Sequence, residues 1–166
     1  MIPHQIVEYL ERRNVPYERR PHKRALTAQE LAACMHVTGY RVGKSVIVEA
    51  GGRTWIALLP AAEEIDEDRL AEVVGGPVRL ASEREFTELF PGCEPGAEPP
   101  FGGLYGLPVV VESTLARAER VVFRAGSHDE ALELRYQDFA DLENRPTVAS
   151  FGRIPMHPPR ASAEMR

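Results

Sequence analysis

The chain has 166 residues and a formal net charge of −5. That length fits one domain that can bury a normal core without disulfide or metal staples, and 43% hydrophobic with 27% charged residues is ordinary globular composition. No run approaches the roughly 18 apolar residues of a membrane span, and an acidic chain is not an indiscriminate nucleic-acid binder.

The opening stretch MIPHQIVEYLERR has no apolar h-region, so no secretory signal is expected. Cys34 and Cys93 are the only cysteines. They read as free thiols of a reducing cytosol, and no CxxC or HxxxH spacing suggests a metal site. A cytoplasmic protein without metal or cofactor is expected. The charge is uneven: residues 11–24 carry Arg12, Arg13, Arg19, Arg20, Lys23 and Arg24 against Glu11 and Glu18. A local basic patch on an acidic protein suits phosphate contact at one site, and a solvated helix end explains it as well.

In chain order, residues 3–13 alternate Ile6, Val7 and Leu10 with charge and predict an amphipathic helix with Pro3 near its first turn. Asn14 to Arg20 reads as a turn and a short strand. Thr27-Ala-Gln-Glu30 is a capping-box pattern opening a helix to about His36, with Leu31, Ala32 and Met35 inward and Gly39 as its stop. Lys44–Ala50 and Arg53–Leu59, joined by Gly51-Gly52, predict a hairpin. Asp66 caps a helix ending at Gly75, and Val78–Ala81 is a short strand. Ser82-Glu-Arg-Glu85 is a second capping box, with Phe86, Leu89 and Phe90 on one side of its helix. Residues 91–108 form a long Pro/Gly loop. Val109–Glu112, Arg120–Arg124 and Ala131–Arg135 read as strands, and Asp138–Glu143 as a last helix. The tail after residue 152 is rich in Pro, Ala and charge and is expected to be disordered. Helices mixed with a tight hairpin and antiparallel returns argue an α+β fold with one domain over 1–152. No internal repeat is visible.

Gly43-Lys44-Ser45 invites a phosphate-loop reading, which fails. Thr38 stands where the motif needs a glycine, and a helix precedes and a strand follows where the order should be reversed. Lys44 is nonetheless unusual, because the chain uses eighteen arginines and only two lysines. A lysine at the mouth of an apolar strand suggests a need for a compact point charge; a chance surface lysine is the plain alternative. His128, in Ala125-Gly-Ser-His-Asp129, is a turn histidine between strands, able to act at a site or to bond its own backbone. The segment Pro91 to Gly103 exposes backbone amides through its glycines and stiffens them with prolines, which suits an oxyanion-type site. Its length also argues against a plain connection. Neither a GxSxG elbow nor an activating base for Cys93 is evident.

Together these pieces are similar to a known family. Thr27-Ala-Gln-Glu-Leu, Arg41-Val-Gly-Lys44-Ser-Val-Ile-Val, Gly96-Ala-Glu-Pro-Pro100-Phe-Gly, Ala125-Gly-Ser-His128 and Asp138-Phe, in this order, resemble the YbaK/prolyl-tRNA synthetase-associated editing domains. The resemblance runs from about residue 3 to 152 and looks like the stand-alone form. It implies a mixed, curled, barrel-like sheet flanked by helices and hydrolysis of the ester of mischarged aminoacyl-tRNA. It implies that Lys44, Gly96 and His128 are the catalytic residues. Ser45, Ala97, Glu98, Pro99, Pro100, Phe101, Gly102 and Ser127 would bind substrate, and Arg19, Arg20, His22, Lys23 and Arg24 would contact tRNA phosphates. Ser45 stands where some members carry asparagine. Lys44 would hold the terminal adenosine, loop amides would polarise the ester carbonyl, and a ribose hydroxyl would assist the attacking water.

Alanine on proline tRNA is the first expected substrate, with cysteine, serine or threonine as alternatives. The expected partner is the tRNA acceptor end, with transient contact to prolyl-tRNA synthetase or an elongation factor. A module that binds the tRNA end without turnover, or a domain that kept only the shape, are readings from other classes.

Overall fold

A computed structural model of the chain describes residues 1–155. The elements run α1 (His4–Arg12), β1 (Glu18–Pro21), α2 (Ala28–Met35), β2 (Val42–Ala50), β3 (Arg53–Pro60), β4 (Glu64–Ile65), α3 (Glu67–Val74), β5 (Val78–Leu80) and α4 (Glu83–Phe86). They continue with α5 (Gly102–Tyr105), β6 (Val109–Glu112), α6 (Ser113–Ala116), β7 (Arg120–Arg124), β8 (Glu130–Arg135), α7 (Tyr136–Leu142), β9 (Thr147–Ala149) and β10 (Gly152–Arg153).

Local chemistry accounts for most boundaries. Pro3 precedes α1, whose Ile6, Tyr9 and Leu10 recur at helical spacing and are buried. Thr27 Oγ1 accepts the Glu30 N–H at 3.0 Å, though the return bond expected from Glu30 is not made. α2 ends earlier than predicted, because His36 takes the left-handed conformation at φ 56°. Gly39 is needed for close packing instead of for the stop: a Cβ there would lie 3.1 Å from Ala62. Ser82 and Glu85 do form the full reciprocal capping box. Its helix is only one turn, however, and Leu89 remains exposed while Phe90 is buried.

Eight strands form one mixed sheet in the order β1-β8-β7-β2-β3-β6-β9, with β5 also on β2, and β4 and β10 make a separate ribbon. The sheet does not close, since β1 and β9 each have one strand neighbour among the described residues. The expected tail begins later than predicted: Arg153 pairs with Glu64 in the ribbon, and the rest of that segment beyond residue 155 lies outside the described residues.

Both faces of the sheet are covered. On one, Ile47, Ile56, Leu58, Val111, Phe123 and Leu132 pack with α1 and α7. At its centre the Phe101, Phe123 and Phe139 rings lie 4.9–6.3 Å apart. On the other face, Val42, Val122 and Ala131 meet α2, and Val48, Leu59 and Val110 meet Leu70 of α3 and Phe151.

β2 is the hub, and one of its edges is forked. Val42 and Gly43 pair in parallel with Val122 and Phe123 of β7. Val48 to Ala50 pair antiparallel with β5, and the Ala81 N–H reaches Ile47 O at 2.9 Å. Between Gly43 and Ile47 that edge meets no strand. The opening falls at Lys44 and Ser45.

Candidate active site

Strand alternation sets the side chains at the fork. Lys44 follows Val42 on the α2 face, and Ser45 follows Gly43 on the opposite face. The structure therefore does not bring these two side chains together. Lys44 is partly buried and forms no ion pair within 4 Å among the described residues. Burial pushes its ammonium below the usual lysine range, against the opposing pull of Glu64 and Glu63. It is a compact, poorly solvated charge with no direct counter-ion.

Arg124 is the next residue of β7 after the last pair with β2, and it lies on the same face as Val122. It is 4% exposed. Its Nη2 donates to Thr27 O at 2.9 Å, while Nη1 is sealed without a partner. Burial lowers its pKa against the fields of Glu30, Cys34, Glu94 and Glu98. Sequence reasoning missed this residue. In Arg-Val-Val-Phe-Arg, period-2 alternation puts Arg124 on the side of Arg120, opposite Val121 and Phe123, so the strand pattern alone reads it as solvent-facing.

Beyond Arg124 the chain turns through Gly126 to His128 and meets the Pro/Gly loop. Glu94-Pro95-Gly96-Ala97 is a type II turn: proline stands second, Gly96 third at φ 87°, and the Ala97 N–H closes on Glu94 O at 3.0 Å. Two main-chain bonds join the loops, Glu94 N–H to Gly126 O at 3.0 Å and Gly126 N–H to Ala97 O at 2.8 Å. Gly126 stands at φ 82°, and a Cβ there would lie 2.8 Å from Pro3 and 2.9 Å from Cys93.

His128 is 4% exposed and pinned on three sides. Its N–H donates to Glu94 Oε1 at 3.0 Å. Nδ1 lies 3.2 Å from Ala25 O, and Nε2 lies 2.7 Å from Pro95 O. Both ring nitrogens thus face carbonyl oxygens, to one of which a neutral imidazole can donate, and the ring is wedged between residues 22–27 and the glycine loop. The other oxygen of Glu94 pairs with Arg24 at 3.0 Å. The structure thus brings Gly96 and His128 together: a Cβ on Gly96 would lie 3.4 Å from the imidazole.

The loop differs from the expected amide cradle. The Gly96 N–H donates to Glu98 Oε2 at 2.8 Å, the Ala97 N–H closes the turn, and Pro99 and Pro100 have none. The Glu98 N–H bonds its own carboxylate, and from Gly96 to Phe101 only the Phe101 N–H is left without a partner among the described residues. Ala97, Pro99 and Pro100 are buried. Phe101, expected to bind substrate, is fully buried in the aromatic core. Gly102 is required by close packing, because a Cβ would collide with Leu107 O. Ser127, also expected at the substrate, is fully buried and donates to Asp129 Oδ1 at 2.6 Å. Glu98 lies within electrostatic reach of Glu83 at the start of α4 and of Arg124 at the end of β7. Glu83 follows β5 and Arg124 ends β7, the two strands that flank the opening in the edge of β2.

The basic run is largely neutralised. Arg19 makes two bonds to Glu130, at 2.9 and 3.2 Å. Arg20 pairs with Glu133, which Arg120 and Arg41 also engage, and Arg24 is held by Glu94. His22 Nδ1 lies 2.6 Å from Lys23 O. Lys23 is exposed and in no ion pair within 4 Å among the described residues. Cys93 is no activated nucleophile: burial pushes its thiol up, and its sulfur lies 3.7 Å from the Tyr105 hydroxyl. No helix among the described residues is long and apolar enough to cross a membrane.

Comparison with known proteins bears on the family and the fold. The multifunctional Ser/Thr-tRNA deacylase ProXp-y of Escherichia coli K12 is 34% identical over 100 residues, which are 59% of this chain and 59% of that protein. The chain thus matches a little over half the length of the curated relatives. Among solved structures, a candidate trans-editing enzyme for prolyl tRNA synthetase superposes with TM-score 0.77 at 21% identity, covering 92% of this chain and 99% of the other. A hypothetical protein superposes with TM-score 0.82 at 23% identity, covering 90% and 100%. At these identities the structural likeness shows the fold. The model of the aminoacyl-tRNA editing domain matches residues 22–142, a span that holds Lys44, the glycine loop and His128, and the chain belongs to that family.

Proposed function

We propose that this protein is a deacylase that hydrolyses the ester joining a small amino acid to the terminal adenosine of a misacylated tRNA. The observation that carries the reading is Lys44: a half-buried ammonium at an opening in the sheet, without an ion pair among the described residues. Leaving a charge so poorly compensated costs stability, and an incoming phosphate would offset that cost. Lys44 holds the acceptor end as a point charge. The Phe101 amide is the loop donor left to polarise the carbonyl. Water attacks the acyl carbon, the acyl–oxygen bond breaks, and the departing ribose oxygen takes a proton. With both His128 nitrogens facing carbonyls, the neighbouring ribose hydroxyl is the better aid to that water.

Serine or threonine is the amino acid favoured by the ProXp-y likeness, and alanine on proline tRNA is the reading favoured by the loop and His128. Pockets for small side chains separate substrates by only about 1–3 kcal/mol per methylene. Because the Gly96 N–H is occupied, a module that binds the acceptor end without turnover is the second reading. A panel of tRNAs charged with serine, threonine, alanine, cysteine and proline distinguishes them. Loss of one mischarged ester by the wild type, absent in Lys44→Ala, supports the deacylase. Saturable binding with no ester loss supports the module.

A further inference from the structure

The loop that carries Gly96 also holds an acid that the reaction above leaves unused. Glu98 is 6% exposed. The Gly96 N–H fixes one carboxylate oxygen at 2.8 Å. The second oxygen receives no hydrogen bond from another described residue. His128 pulls on the carboxylate electrostatically but has both ring nitrogens against main-chain carbonyls, and Arg124 makes no ion pair with it within 4 Å and has spent Nη2 on Thr27 O. Burial pushes the Glu98 carboxyl up, against the pull of the Gly96 amide. A buried acid held in one orientation, with one oxygen unbonded by any other described residue and no ion pair within 4 Å, is a receptor for a cation.

An aminoacyl ester carries one cation near its reactive carbon, the α-ammonium, one carbon away from the carbonyl. An ammonium on the Glu98 carboxylate would set that carbonyl against the same loop, beside the Phe101 amide. Resting on the deacylase reading, we propose that Glu98 receives the α-ammonium of the bound ester, so that the site takes free-amine aminoacyl esters and rejects N-acylated ones. An acylated nitrogen has no charge to offer and adds bulk at a buried position. The site would then spare peptidyl esters on tRNA while removing single amino acids.

Four ligands test this on the full chain: seryl-tRNA, N-acetylseryl-tRNA, and the non-hydrolysable seryl-amide of adenosine with and without an N-acetyl group. Rates are read on the esters and affinities on the amides, for wild type, Glu98→Gln and the charge-keeping Glu98→Asp, each checked by thermal melting. The wild type is expected to favour the free amine about 10- to 100-fold, the range of a hydrogen bond to a charged group. Glu98→Gln should bring that ratio close to one without weakening the N-acetyl ligand, and Glu98→Asp should restore part of it. A wild type that treats both amides alike overturns the proposal. So does a Glu98→Gln protein that loses both equally, which would make the residue a brace for the loop. Selective amide binding without ester hydrolysis keeps Glu98 and removes the deacylase; hydrolysis without selectivity does the reverse.

Discussion

Replacing Glu112 by glutamine tests how the ribbon beside Lys44 is held. Glu112 is 1% exposed. One oxygen accepts the N–H groups of Phe151 and Gly152 at 3.0 and 2.9 Å. The other accepts the Thr114 N–H and the Ser113 hydroxyl, both at 3.0 Å. Burial alone would raise the carboxyl pKa, yet these four bonds outweigh it and leave the group below the usual range. Glutamine has the same shape but one acceptor oxygen, so its NH2 must face one pair of donors. If it turns toward β10, two main-chain N–H groups lose their acceptor. At about 1–3 kcal/mol per unsatisfied buried group, offset by local relaxation, Glu112→Gln should cost about 2–4 kcal/mol. At about 2–4 °C per kcal/mol for a chain of this size, Tm should fall by roughly 5–15 °C.

Urea unfolding across pH gives the sign. A carboxyl with a depressed folded pKa contributes stability above its unfolded value, near 4.3, and loses it as pH falls through the lower folded value. The difference between wild type and Glu112→Gln should therefore be full at neutral pH and shrink below about pH 4. A cost under about 0.5 kcal/mol, or one that does not change with pH, refutes the clamp, since surface substitutions stay in that range.

Lys44→Met should abolish ester hydrolysis while leaving urea stability equal or higher, because it removes a desolvated charge that has no ion pair; a large loss of stability would make Lys44 structural. Since burial lowers the Lys44 pKa, hydrolysis by the wild type should decline with rising pH before the ordinary lysine range is reached, which a rate profile corrected for spontaneous ester loss will show. Gly126→Ala forces a side chain into a positive-φ site against Pro3 and Cys93, and should cost about 1–3 kcal/mol with a parallel loss of activity as the two loops separate. Lys23→Ala should weaken tRNA binding and reduce its salt slope by about one. Arg19→Ala, whose side chain already serves Glu130, should change that slope far less.

Sequence legibility followed the range of the forces involved. The hairpin was readable because Gly51 and Gly52, at φ 59° and 76°, write their turn into two adjacent letters. The Asp66 and Ser82 caps were readable because cap and recipient lie three residues apart. β4 and β10 were not readable, since two-residue strands exist only through each other and carry no periodicity of their own. α5 and α6 are single turns set by tertiary packing. In the site, resemblance pointed to Lys44, Gly96 and His128, and the structure does place the last two in contact. What the sequence could not show was commitment. Nothing local reveals that both His128 nitrogens meet carbonyls, that Glu98 turns back on Gly96, or that four of the six residues from Arg19 to Arg24 are engaged by carboxylates or main chain. The His128 and arginine partners lie many residues away, and the short-range bonds of Glu98 and His22 follow from how the loops are folded.

The forked edge of β2 also bears on the order in which the molecule comes together. Its first partner, β3, follows within a few residues, and β5 arrives some thirty positions later. Its third partner, Phe123, comes eighty positions after Gly43. Closing long loops costs entropy before contacts reward it, so the hairpin forms early and the lysine stays on an open strand until most of the chain has been made. On a ribosome, a correctly set Lys44 would be among the last features to mature. Refolding followed by a probe near Lys44 should therefore lag one placed at Trp55 in the hairpin.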